Sequence, residues 1–121
     1  MIERGDNKFS IGSELMEKLE TLNVPIYPVM VPIDELAKSK DIIVYKRTGY
    51  SLERSKMGVF EQKVVVEITA VCTSYKDSIN LINNIYNLLN SNTCVLTNSA
   101  EDFVEDRFIQ VAEFEIISIK N

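Results

Sequence analysis

Histidine and tryptophan are absent from this 121-residue chain, and glycine (4), proline (3) and cysteine (2) are sparse. Without imidazole there is no Ser-His-Asp or Cys-His arrangement for nucleophilic catalysis and no zinc site built on histidine. No apolar run approaches the ~18 residues that cross a bilayer. The opening MIERGDNKFS carries no apolar signal core, so neither secretion nor membrane insertion is expected. Eighteen acidic against 13 basic residues, a net charge of −5, argue against a general phosphate-binding surface, since nucleic-acid affinity is built on clustered Lys and Arg. No Gly-rich loop precedes a helix to cradle a phosphate. Cys72 falls inside an apolar alternating pattern, where a thiol behaves as a small hydrophobe, and it and Cys94 are expected to be free.

What is present is a chain 45% hydrophobic, long enough to bury about two-thirds of its unfolded surface around one core without metal or disulfide staples, so residues 1–121 read as a single domain. Ile11, Leu15, Leu19 and Leu22 recur at helical spacing over Ser10 to Leu22, and Asn23 ends that helix. Val24-Pro25-Ile26-Tyr27-Pro28 must be extended, as an edge strand or rigid connector. Asp34 to Lys38 would make a single helical turn, and Ile42 to Lys46 a buried strand. From Arg47 to Met57 the chain turns polar without either period, predicting a long exposed loop or a protruding hairpin arm at about 47–58. Val59 to Thr73 is a long strand with Val64, Val66, Ile68, Ala70 and Cys72 on its core face. Its other face, with Lys63, Val65, Glu67, Thr69 and Val71, is too apolar for plain solvent.

Ser74-Tyr75-Lys76-Asp77 has capping-box spacing, and the helix it opens shows Tyr75, Ile79, Ile82, Ile85, Tyr86 and Leu89 as its apolar stripe, with Asn80, Asn83, Asn84 and Asn87 turned away. Cys94 to Thr97 reads as a short strand, Asn98 to Asp106 as an acidic connector with a possible single-turn cap at Ser99 and Asp102, and Phe108 to Ile119 as a closing strand. That order predicts an α+β fold, a mostly antiparallel sheet with two main helices packed on one face.

Few residues suggest chemistry. Glu67 and Glu115 on neighbouring strands would bring two carboxylates together, but nothing around them reads as a pocket. Glu101, Asp102, Glu105 and Asp106 lack the spacing and glycine of a calcium loop, so a solvated acidic surface is the simpler reading. No catalytic, cofactor-binding or metal-binding residue is assigned, and no cofactor is expected. Arg47, Arg54 and Lys56 are interrupted by Glu53, which favours a protein over an anion as their target. With Tyr50, Leu52 and Met57 in the arm and Val65, Glu67 and Val71 on the mixed strand face, they are the candidate subunit or partner interface.

The N-terminal helix running into Ile26-Tyr27-Pro28, the strand Ile42 to Tyr45, the run Val64 to Val71 leading through Ser74-Tyr75-Lys76-Asp77-Ser78 into the helix Ile79 to Leu89, and the final strand Phe108 to Ile116 together carry a resemblance. The chain resembles the tail terminator, or tail completion, proteins of long-tailed bacteriophages. The resemblance implies a non-enzymatic structural virion protein that forms a homo-oligomer, a hexameric ring, at the head-proximal end of the tail. Such a ring caps the tail tube, stops its polymerisation and presents the head-joining surface, so its expected partners are further copies of itself, the tail tube protein and a head connector or head-completion protein. It would be assembled in the host bacterial cytoplasm, with no membrane involved. DNA would pass through without specific binding, and an acidic lining of Glu101, Asp102, Glu105 and Asp106 would suit such a channel because carboxylates repel phosphates. A head-closure or tube subunit is the alternative within a virion, and a small non-viral ligand-binding domain the alternative outside one.

Overall fold

A computed structural model describes residues 11–30, 41–54 and 60–120. The first helix, α1 (Ile11–Leu19), tightens into a 3-10 turn over Glu20–Leu22 and buries Leu15 and Leu19. Asn23 stops it in the left-handed conformation at φ 58°, where its N–H returns to the Glu20 carbonyl at 3.1 Å. Strand β1 (Ile26–Pro28) then pairs in parallel with β2 (Ile42–Arg54), from Ile26 opposite Ile43 to Pro28 opposite Tyr45. Proline is tolerable at this sheet edge because it is asked only to accept, and the Pro25 carbonyl takes the Ile43 N–H at 2.9 Å. The helical turn expected at Asp34 to Lys38 lies outside the described residues.

Strands β3 (Phe60–Cys72), β4 (Cys94–Val104) and β5 (Arg107–Lys120) complete a five-stranded sheet in the order β1-β2-β3-β5-β4, antiparallel except at β1. Period-two alternation puts Tyr45, Val64, Val66, Ile68, Ala70, Cys72, Ala112 and Phe114 on one face, all buried. Both helices lie against that face, so the fold is α+β as expected. Burying each large aliphatic or aromatic side chain there contributes roughly 1.5–3 kcal/mol.

The second long helix, α2 (Tyr75–Leu89), begins as its spacing predicts: Ser74 is extended and its Oγ accepts the Asp77 N–H at 3.1 Å. Its buried stripe keeps Ile85 and Leu89 of the one predicted and replaces the rest. Ser78, Leu81, Ile85 and Leu89 face the sheet, whereas Tyr75 and Ile79 are exposed and Ile82 and Tyr86 only partly covered. The sheet contact is centred to one side of the predicted stripe, and a small buried Ser78, donating to the Tyr75 carbonyl at 2.7 Å, lets that side approach the sheet.

One further expectation is corrected and another is narrowed. The segment Asn98 to Asp106 is not a capped connector: β4 runs on to Val104, and Glu105 and Asp106, at φ 50° and 62°, form a two-residue turn into β5. Positive φ at both positions matches the primed turn whose twist suits a hairpin. The polar segment after Lys46 is strand rather than loop as far as Arg54, which pairs with Phe60, a pairing that the hairpin alternative allows. One extra residue, Thr48, bulges between Arg47 and Gly49 and hides the period. Residues 55–59 lie outside the described residues, and with them the end of the expected arm.

Candidate functional site

The second face of the sheet is built from cross-strand rows, and among the described residues neither helix covers it. Val44, Thr69, Val111 and Ala100 stand side by side across β2, β3, β5 and β4. The next rows are Lys46, Glu67, Glu113 and Asn98, then Gly49, Val65, Glu115 and Val95, then Ser51, Lys63 and Ile117. Val44, Val65, Glu67, Thr69, Val111, Glu113, Glu115 and Ile117 are all half-buried, so apolar and charged groups are interleaved on a broad open surface. Lys63 sits 3.8 Å from Glu115 and 3.7 Å from Glu61.

The carboxylate expected beside Glu67 is therefore not Glu115, which lies opposite Val65, but Glu113. The parity was legible and the register was not. Facing like charges repel, and here Lys46 occupies the same row while Thr97 donates to Glu113 Oε1 at 3.0 Å. Val71, expected to meet a partner, is buried with its neighbour Ile42 inside this chain, so the interface candidates on this face reduce to Val65 and Glu67.

Of the remaining interface candidates, Leu52 is 52% exposed, whereas Tyr50 packs against the core and its hydroxyl donates to Gln62 Oε1 at 3.4 Å. Arg47 is exposed next to the Thr48 bulge, and Arg54 ends β2. Lys56 and Met57 lie outside the described residues.

Of the four acidic candidates, Glu101 and Asp102 alternate along β4 yet both border one hollow with Tyr75, Phe103 and Phe108, and Glu105 and Asp106 form the turn beyond them. Glu101 Oε2 accepts from the Tyr75 hydroxyl and from Gln110 Nε2, both at 2.9 Å. These bonds, with Gln110 the stronger influence, hold its pKa below the usual value of 4.5, and the same carboxylate pushes the Tyr75 phenol above 10.0. Phe103 and Phe108 complete this corner. The signal for it was available as Phe103, Phe108 and Tyr75, but a connector was expected where β4 continues, which left Phe103 without a face.

Cys72 and Cys94 are free and buried. Burial, then the neighbouring Asp41 carboxylate, pushes the Cys72 thiol up to about 12, and burial raises Cys94 as well, so neither offers a thiolate nucleophile near neutrality. Asp41 Oδ1 is buried with no hydrogen-bond partner among the described residues. Among the described residues no group of three or more Cys, Asp or Glu side chains converges to hold a metal ion, and no helix is long and apolar enough to cross a membrane. An open groove of about 290 Å³ between α2 and the β4–β5 hairpin is lined by Ile79, Ile82, Tyr86, Leu96, Ser99 and Gln110, among others. No family model matches the chain, and no curated protein matches it.

Proposed function

We propose that this chain is a structural virion subunit of the tail terminator kind, a building block of a hexameric ring that caps a phage tail tube, ends its growth and meets the head connector. The observation that supports this most is the open face of β2, β3 and β5. Val44, Val65, Val111 and Ile117 interrupt a charged surface in repeating rows, a pattern suited to burial against a neighbour whose own surface differs. The sheet edges add to it: β4 is exposed over most of its length, and among the described residues no strand pairs with β2 beyond Tyr45 on its β1 side. Unpaired edges invite pairing with another chain. Leu52 and Arg47 lie along the second of these edges and are the contacts we assign to a neighbouring subunit. Glu101 and Asp102 border one hollow at the hairpin tip next to the Glu105–Asp106 turn, so an acidic lining would draw on this end of the hairpin.

Light scattering across a concentration series, followed by addition to purified tail tubes, tests the reading. A hexamer that binds one tube end and blocks further growth is expected. Co-polymerisation along the tube would make it a tube subunit instead, and a concentration-independent monomer that ignores tube ends would overturn the assignment.

A further inference from the structure

Three aromatic rings and two acidic residues share an open hollow of about 260 Å³ at the tip of the β4–β5 hairpin, lined by Tyr75, Glu101, Asp102, Phe103 and Phe108. The turn at Glu105 and Asp106 sets Phe103 directly across from Phe108. Phe108 stands between the other rings, edge-on to Tyr75 at 5.8 Å and 70°, and 4.7 Å from Phe103 at 44°. The contacts fix the rings, yet Phe103 is 54% and Tyr75 49% exposed. Water therefore reaches aromatic surface that ordinary folding would cover.

Beside the rings, Glu101 is held in one orientation. Tyr75 and Gln110 both donate to its Oε2, and Gln110, itself buried, turns its amide also toward Ser78 Oγ at 3.4 Å. Oε1 has no hydrogen bond or ion pair from a described residue, although the carboxylate stays ionised over the neutral range. A buried amide and a phenol thus aim a surface anion that has no cation paired with it among the described residues.

We propose that this hollow binds an arginine side chain of a partner protein, its guanidinium stacked on an exposed ring and paired with Glu101 Oε1. A planar, weakly hydrated cation suits both halves of the site: it stacks on an aromatic face and donates in a fixed geometry to a carboxylate. The compact ammonium of lysine uses only the charge. Because rings and carboxylate are already fixed, little ordering opposes binding. The site goes beyond ring assembly and stands whether or not the chain forms one.

The test is an NMR titration of the full chain with N-acetyl-arginine methylamide, set against N-acetyl-citrulline methylamide, which has the same shape without the charge. Saturable shifts at the Tyr75, Phe103 and Phe108 ring signals are expected with arginine alone. Glu101→Gln, which keeps an acceptor for Tyr75 and Gln110, should weaken binding on the order of tenfold, with the Tyr75–Phe108 ring contact retained as the check on folding. If that contact is lost, Phe103→Leu, at an exposed position, takes its place with the same expected loss. Equal binding of citrulline, no saturable shift, or undiminished affinity in the folded variant would overturn the proposal.

Discussion

Ile85 and Ile79 are the same side chain on the same helix, and the fold uses them oppositely. Ile85 is wholly buried against the sheet, while Ile79 is 38% exposed at the rim of the groove beside β4. Ile85→Ala should cost about 2–5 kcal/mol, the transfer loss plus the cavity left behind, whereas Ile79→Ala should stay within about 0.5 kcal/mol. Urea unfolding of the two variants measures both. From the residues alone both isoleucines fall in one apolar stripe, because periodicity reports the span of an apolar face but not where across it the sheet contact is centred. Ser78 and Leu81 are what that stripe missed, and a serine carries no hydrophobic signal. Glu101 supplies a second prediction. Its folded pKa lies below its unfolded one, so the stability from its two hydrogen bonds is present above about 4.5 and is lost as the pH falls through the lower, folded value. In Tyr75→Phe one donor is gone, and the Glu101 titration midpoint followed by carboxyl NMR should move up toward 4.5.

At the scale of elements, the turn between β4 and β5 carries side chains poorly suited to its backbone. Glu105 and Asp106 both adopt positive φ, a conformation that costs an ordinary L-residue about 1 kcal/mol and that Asn-Gly adopts readily. The double replacement Glu105→Asn with Asp106→Gly should raise unfolding stability by roughly 1 kcal/mol in thermal or chemical denaturation. The same acidic pair explains why the hairpin was hard to read: Asn-Gly would have announced it, whereas a carboxylate run reads as solvated loop. Bulges had a similar effect. Thr48 in β2 and Thr97 in β4 each add a residue between ladder positions, so alternation breaks where the strand does not. By contrast β3, β5 and the Ser74 cap were legible because each obeys one period without interruption. The acid-pair site was half legible, since parity puts Glu67 and Glu115 on one face but only the register brings Glu67 opposite Glu113.

For the whole molecule, the two faces of one sheet make different demands. The helix side is closed by Leu15, Leu19, Leu81, Ile85 and Leu89, and the other side leaves Val65 and Val111 half-buried with carboxylates between them. If that open side is where subunits meet, Val65→Lys with Val111→Lys should leave circular dichroism and monomer stability close to the parent and abolish the oligomer in light scattering. An oligomer that survives both lysines would direct attention to the sheet edges instead. The central seam of the sheet has a consequence for how the chain reaches its fold. β2–β3 and β4–β5 are antiparallel pairs of chain neighbours, but β3 and β5 are separated by α2 and β4 and pair along their full length, from Phe60 opposite Lys120 to Cys72 opposite Phe108. Each hairpin closes a small loop, while joining them closes a large one, whose entropy must be lost before its contacts repay it. Folding should therefore be slow for a chain of this size, with the seam closing last, and a substitution such as Ala112→Gly on that seam should speed unfolding far more than it slows folding in stopped-flow kinetics.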